Sequence, residues 1–378
     1  MRCSKHKPRR SKVRMKSIGL FAFVWMLFQV TAATSLWAQN CIGLTKVHEN
    51  LAGQSLNSVA YHNGEYLAVG DDGLVLMSSN GMDWMVLDPG TTHDLVDVVW
   101  AGDRFAIITF SGVADSTILS WTSGGGFQFH NDLIQFAHGQ ALGWDGTKLI
   151  MAYYDGLTDS GRFRTTTDFV VSATNDMEMS THCGEVSDID VVNGVILMGW
   201  RCMLDGFSQP GAFVYSFDGF NFDSEATGPP SSFGAGAIAT NGTIAFGSAF
   251  SPIGPVNHFT HTPEIGVEAF TVYDDSPEIF RNTIRDADWV QDTFIGVGPA
   301  GLFGHSADGL NWSEITSPNQ GTMARVIPTV DGGFVAVGEM ETIVLGTPNP
   351  FPGIYTAWPE TISCLDLIMT LESCPAAP

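Results

Sequence analysis

Seven arginines follow residue 38, and they are unevenly placed. Arg162, Arg164 and Arg201 stand near Tyr153, Tyr154, Trp200, Phe207 and Phe250. Arg281 and Arg285 lie in the stretch that leads into the sixth repeat. A guanidinium presents a planar fork of donors that matches a carboxylate, and an aromatic face stacks on sugar rings or cations. Tyr154, Arg162, Trp200, Arg201, Arg281 and Arg285 are therefore the candidate ligand-binding set, for a glycan or an acidic ligand. The plainer alternative is that each arginine pairs with one of the 40 Asp and Glu and that the aromatics pack.

Other chemistries find little support. The ten histidines are scattered, with no pair at metal-ligand spacing, and there is no phosphate-cradling glycine loop or Gly-x-Ser-x-Gly elbow. Asp71-Asp72 and Asp274-Asp275 could hold Ca²⁺ through oxygen, which is the one cofactor left open. Turn acids of this kind are otherwise simply solvated.

The elements that must position these residues are short. Phe294-Ile295-Gly296-Val297-Gly298 is an apolar run, Pro299-Ala300-Gly301 is turn chemistry, and Leu302 to His305 is a second run. A polar turn, Ser306 to Asn311, leads to Trp312. The same order runs from Leu56 to Trp84. The turn after the first strand recurs as Asn63-Gly64, Gly102-Asp103, Asp145-Gly146, Asn193-Gly194, Asn241-Gly242, Gln291-Asp292 and Asp331-Gly332, at steps of 39 to 50 residues. Short strands at this period predict a single all-β propeller. Seven blades of four antiparallel strands are expected, with six or eight left open.

The turn before the closing aromatic also recurs: Ser78 to Trp84, Ser123 to Phe129, Ser216 to Phe222 and Ser306 to Trp312. In this it resembles the Asp-box, or bacterial neuraminidase repeat, of sialidase-superfamily propellers and of photosystem II assembly and stability factors. The resemblance implies structural roles for Asn80, Trp84, Asp218, Phe222, Asp308 and Trp312. The acid or amide caps the turn, Gly takes positive φ, and the ring packs between blades. It also implies a protein partner or, on the sialidase side, a glycoside. Sialidases carry an Arg-Ile-Pro motif near the first blade, which is absent here. The nearest string, Arg325-Val326-Ile327-Pro328, is in the last repeat. Our reading is a non-catalytic binding or assembly module working through the face of blades 2–5. There the loops joining strands two and three are long. The alternative is a sialidase-like glycoside hydrolase using rim carboxylates and arginines, with Tyr154 as nucleophile and Asp155 or Asp159 as acid.

Residues 1–38 read as a signal peptide: eight Lys and Arg, an apolar run from Ile18 to Val30, then small residues to Ala38. A periplasmic or secreted protein with no membrane span after cleavage is expected. All 40 Asp and Glu follow this segment, so the remainder carries 9 − 40 = −31. That charge disfavours nucleic acid as a partner.

The propeller is expected over 39–360 and a tail over 361–378. Export permits disulfides. Loops between blades and loops joining strands two and three share a face, which favours a Cys183–Cys202 bridge. Cys364–Cys374 is the simplest pairing in the tail, and Cys41 is left over. Cys41 bonded to a tail cysteine would instead staple the ring. The outer strand of the last blade is contested between Cys41–Val47 and Ile354–Trp358.

Overall fold

The computed structural model describes residues 42–50, 53–110, 116–131, 134, 137–155, 160–169, 176–180, 185–201, 212–219, 221–226, 233–250, 258–273 and 284–347. Among them are 28 strands, β1 to β28 in chain order. They form seven four-stranded antiparallel sheets. Residues 43–348 make one compact unit. Blades 1 to 6 each use four consecutive strands, the first innermost. In blade 1 these are β2 (Leu56–His62), β3 (Glu65–Gly70), β4 (Val75–Ser78) and β5 (Met85–Leu87).

The seventh blade closes the ring. β26 (Met323–Pro328), β27 (Phe334–Gly338) and β28 (Thr342–Thr347) supply three strands, and β1 (Gly43–His48) supplies the fourth, outermost one. Gly43 faces Thr347 in that ladder. The contest for the outer place is thus settled in favour of the N-terminal strand. A closed ring covers the apolar sheet faces that a linear stack of blades would expose at its ends, and leaves only short, protected edges.

All seven turns after the inner strand bend as their residues suggest. A residue with positive φ sits in each: Gly64 (88°), Gly102 (80°), Gly146 (94°), Gly194 (83°), Gly242 (90°), Gln291 (55°) and Gly332 (82°). Gln291 adopts it against its Cβ, and so do Asn63 (49°) and Asn193 (52°) beside their glycines. On the opposite face the tight turns of blades 1 and 7 bond to the backbone that leads into the inner strands. Asp71 N–H donates to Ser55 O at 3.0 Å, and Glu339 N–H to Thr322 O at 2.9 Å. At Gly73 the approach is so close that a Cβ would stand 2.0 Å from Thr91 O.

The core lies between blades. Alternate residues of a strand face opposite sides, so each second strand serves two interfaces. In β7 (Phe105–Phe110), Phe105 and Ile107 pack with blade 1, and Ala106 and Ile108 with blade 3. This is why the second strands read as unbroken apolar runs. Burying a side chain of this size contributes about 1.5–3 kcal/mol.

In blades 1, 4 and 6 the turns before the closing aromatics share one hydrogen-bond pattern. Asn80 Oδ1 accepts from Met82 and Asp83 N–H, both at 2.9 Å, and Ser78 Oγ from Gly81 N–H. Asp308 Oδ1 accepts from Leu310 and Asn311 N–H, and Asp218 Oδ1 from Asn221 N–H. The indoles of Trp84 and Trp312 donate back to Gly81 O and Gly309 O, each at 3.0 Å. Trp312 packs between blades 5 and 6, and Phe222 between blades 3 and 4.

Residues 1–38, the tail 361–378, and Cys41, Cys183, Cys202, Cys364 and Cys374 lie outside the described residues, as do most residues of the long loops of blades 2–5. Among the described residues no helix is long and apolar enough to cross a membrane.

Candidate functional site

The inner strands carry a repeated defect. In blades 1, 2, 3, 4 and 7 the ladder to the second strand slips by one residue, skipping Asn57, Val96, Gln140, Ser187 and Ala324. In blade 6, Arg285 and Asp286 both oppose Val297. These are β-bulges, which bend the strand and re-aim side chains. The six bulged residues line a depression of about 120 Å³, together with Asp97, Ala141, Asp188, Asp286 and Arg325 that follow them. Four inner strands thus bring three aspartates and an arginine to one place: β6 (Asp94–Trp100), β14 (Glu185–Val192), β22 (Asp286–Val290) and β26.

Arg325 holds this floor together. Its Nη1 ion-pairs with Asp188 Oδ1 at 2.5 Å and lies 3.4 Å from Asp286 Oδ1. The aspartates also stitch blades to one another. Asp97 Oδ2 accepts from Leu142 N–H of blade 3 at 2.8 Å, and its Oδ1 from Ser58 Oγ of blade 1 at 2.6 Å. Asp286 Oδ2 accepts from Val326 N–H of blade 7 at 2.7 Å. Two residues beyond Asp188 and Asp286, on the same strand faces, stand Asp190 and Asp288. Asp190 Oδ2 accepts from Thr240 N–H of blade 5 at 2.7 Å.

Five carboxyls around one guanidinium cannot all hold charge cheaply out of water. Burial, reinforced by the charge of Asp188, pushes the pKa of Asp190 up to about 7. Burial likewise raises Asp97, and raises Asp286 and Asp288 well above the carboxylate range. Burial opposes the charge on Arg325, but Asp188, Asp286 and Asp97 outweigh it and hold its pKa well above the ordinary value.

The linkage has a definite sign. A carboxyl with a raised folded pKa binds its proton more tightly in the folded chain, so its contribution is fully present below the unfolded value near 4. That contribution is lost as pH rises through the folded value. Asp145 and Asp308 work oppositely. Burial opposes their charge, but turn donors outweigh it and lower both, so their contribution is lost only in acid. The urea midpoint is therefore expected to be higher at pH 5 than at pH 8. Asp190→Asn is expected to flatten that slope, and an unchanged slope would refute the assignment.

The arginines and aromatics singled out by sequence are dispersed. Arg285 does line the depression. Arg162, on β12 (Ser160–Thr166), directs Nε to Asp155 Oδ2 at 3.3 Å, within blade 3's own sheet. Arg164 sits 5.8 Å above the Tyr153 ring. Tyr154, on β11 (Leu149–Asp155), is half-buried opposite Gly161. Trp200 requires a correction. It is 1 % exposed and packs between blades 3 and 4, so it offers no ring face to a ligand. Arg201 ends β15 (Val195–Arg201) opposite Glu185, and Arg281 lies outside the described residues. Asp71 and Asp72 accept from Asn57 Nδ2 and Gln54 Nε2. Among the described residues no three His, Cys, Asp or Glu converge as a metal site.

Asp97, Asp188, Asp286 and Arg325 were missed. The aspartates share a positional signal with Ser58: Ser58, Asp97, Asp188 and Asp286 each stand five residues before the first residue of the next turn.

No known protein-family model matches the chain, and no curated protein sequence does. Solved structures do resemble it. YCF48 from Cyanidioschyzon merolae is 15% identical, with a TM-score of 0.58 over 81% of this chain and 99% of that one. YCF48 bound to D1 peptide is 12% identical, with a TM-score of 0.56 over 82% and 97%. Virginiamycin B lyase from Staphylococcus aureus is 10% identical, with a TM-score of 0.60 over 81% and 99%. What they share with this chain is the propeller fold. At such identities nothing finer carries across, and the chemistry must be argued from the residues themselves.

Proposed function

We propose that this chain is an exported, non-catalytic propeller of the Asp-box type that binds a protein partner over the mouth of its central channel. The observation that carries the reading is the bulge-lined depression, which gathers polar side chains from six blades on one face. The tight turns of blades 1 and 7 reach the same face, which supports placing the long loops of blades 2–5 around it. A related fold has been solved holding a peptide, which fits a protein partner better than a glycan. Export rests on the first 38 residues, and the Asp-box reading on the turns that Asn80, Asp218 and Asp308 cap.

Random-peptide display against the purified protein tests this. Peptides are expected to be enriched, and filling the mouth with Ser187→Trp is expected to weaken them at least tenfold. Failure to enrich any peptide, with turnover of a sialoside or binding on a glycan array instead, would overturn the reading.

A further inference from the structure

The depression has an unfilled acceptor. Asp188 is 6 % exposed. Its Oδ1 accepts from Ile189 N–H at 2.8 Å and pairs with Arg325. Its Oδ2 meets no donor among the described residues, and the residue lines the depression. The neighbouring carboxylates differ. Both oxygens of Asp97 take protein donors, and the oxygens of Asp286 face Arg325 and Val326 N–H. Asp188 Oδ2 is not among the fully buried side-chain atoms left without a partner, so it opens on the depression and can take a donor from an incoming group.

We propose that this depression is a one-residue socket for a basic side chain of the partner, a lysine ammonium or arginine guanidinium seated against Asp188 Oδ2. The inference rests on the protein-binding reading above and names the chemistry of its anchor.

Three further observations point the same way. The first is size. A volume of about 120 Å³ is well below the roughly 300–1,000 Å³ of a small-molecule site. It equals about four waters at ~30 Å³ each, which suits one polar side-chain end. The second is charge. Asp97, Asp188 and Asp286 face a single guanidinium at the floor, with Asp190 and Asp288 on the same strand faces beneath. The third is the field of the whole molecule. An excess of 31 negative charges after residue 38 steers basic partners toward the surface and repels acidic ones. Arg325 pulls the other way, as a cation at the floor whose Nη1 the aspartates engage. A carboxylate drawn to it, however, would enter the field of three others. Arg285, exposed at the rim, opposes an incoming cation and so gives the test a lever.

The experiment takes the display-selected peptides and measures their affinity by calorimetry for the full chain, Asp188→Asn and Arg285→Glu. Each peptide is expected to depend on one Lys or Arg. Its replacement by norleucine or citrulline should weaken binding at least tenfold, and Asp188→Asn should do the same. Arg285→Glu, a change at an exposed position, should tighten binding several-fold. Binding should release protons and strengthen from pH 5 to pH 8, because a cation favours ionisation of the raised carboxyls. Peptides anchored by an acidic or apolar residue, insensitive to Asp188→Asn and weakened by Arg285→Glu, would overturn the socket and leave protein binding standing. Enrichment of no peptide would overturn both.

Discussion

Arg325→Ala is expected to destabilise the fold by about 3–5 kcal/mol at pH 8, the usual consequence of removing one partner from a buried ion pair. Three carboxyls converge on this guanidinium from blades 2, 4 and 6. Asp97 and Asp286 are also bonded to inner-strand backbone of the neighbouring blade, so neither can swing away to water without opening a blade junction, and Asp188 is held by Ile189 N–H of its own strand. The loss should be smaller at pH 5, where the orphaned carboxyls are protonated more readily. Paired urea titrations at the two pH values read this directly. A change under ~0.5 kcal/mol, typical of surface substitutions, would show that Arg325 is no strut. The sequence reading noticed Arg325 only as part of a misplaced Arg-x-Ile-Pro string. Its actual role is to hold together the floor of the channel.

Trp312→Ala should cost about as much, ~3–5 kcal/mol, through the cavity left between blades 5 and 6. The indole is 9 % exposed and meets the Phe246 ring at 5.4 Å. Trp312→Phe keeps most of that packing and loses mainly the bond to Gly309 O, worth about 0.5–1.5 kcal/mol. Trp84 makes the matching bond to Gly81 O but is only partly buried. Trp84→Ala should therefore cost less than Trp312→Ala. Equal losses in thermal melts would mean that the turn, not the packing, sets the energy.

The architecture was legible because it is written in local chemistry. Asn63-Gly64 and Asn193-Gly194 can scarcely do anything but turn, and both pairs adopt positive φ throughout. Ser306 to Trp312 specifies its own hydrogen bonds within seven residues. Closure by β1 was readable only as one of two options, because pairing across the whole chain leaves no local mark. The site was harder still. Trp200 lies next to the end of a strand that leads into a long loop, which reads as rim, yet its side chain packs between two blades. Asp97 and Asp188 sit in strands otherwise built for burial, and aspartate is a poor strand former. With 40 acidic residues in the chain, these two did not stand out. What distinguishes them is the bulge beside each, a feature of pairing geometry rather than of composition.

The outer place of β1 in the seventh blade has a consequence for how the chain comes into being. Gly43 pairs with Thr347, a separation of 347 − 43 = 304 residues. At roughly 5–20 residues per second of synthesis, the N-terminal strand waits about 15–60 seconds for its partner to exist. Throughout that interval Leu56, Val59, Ala68 and Leu76 lack the cover that Val335, Val337 and Ile343 later provide. The newborn chain is thus an unfinished ring with a sticky face at its oldest end. A chain that stops before β27 and β28 are made leaves that face uncovered.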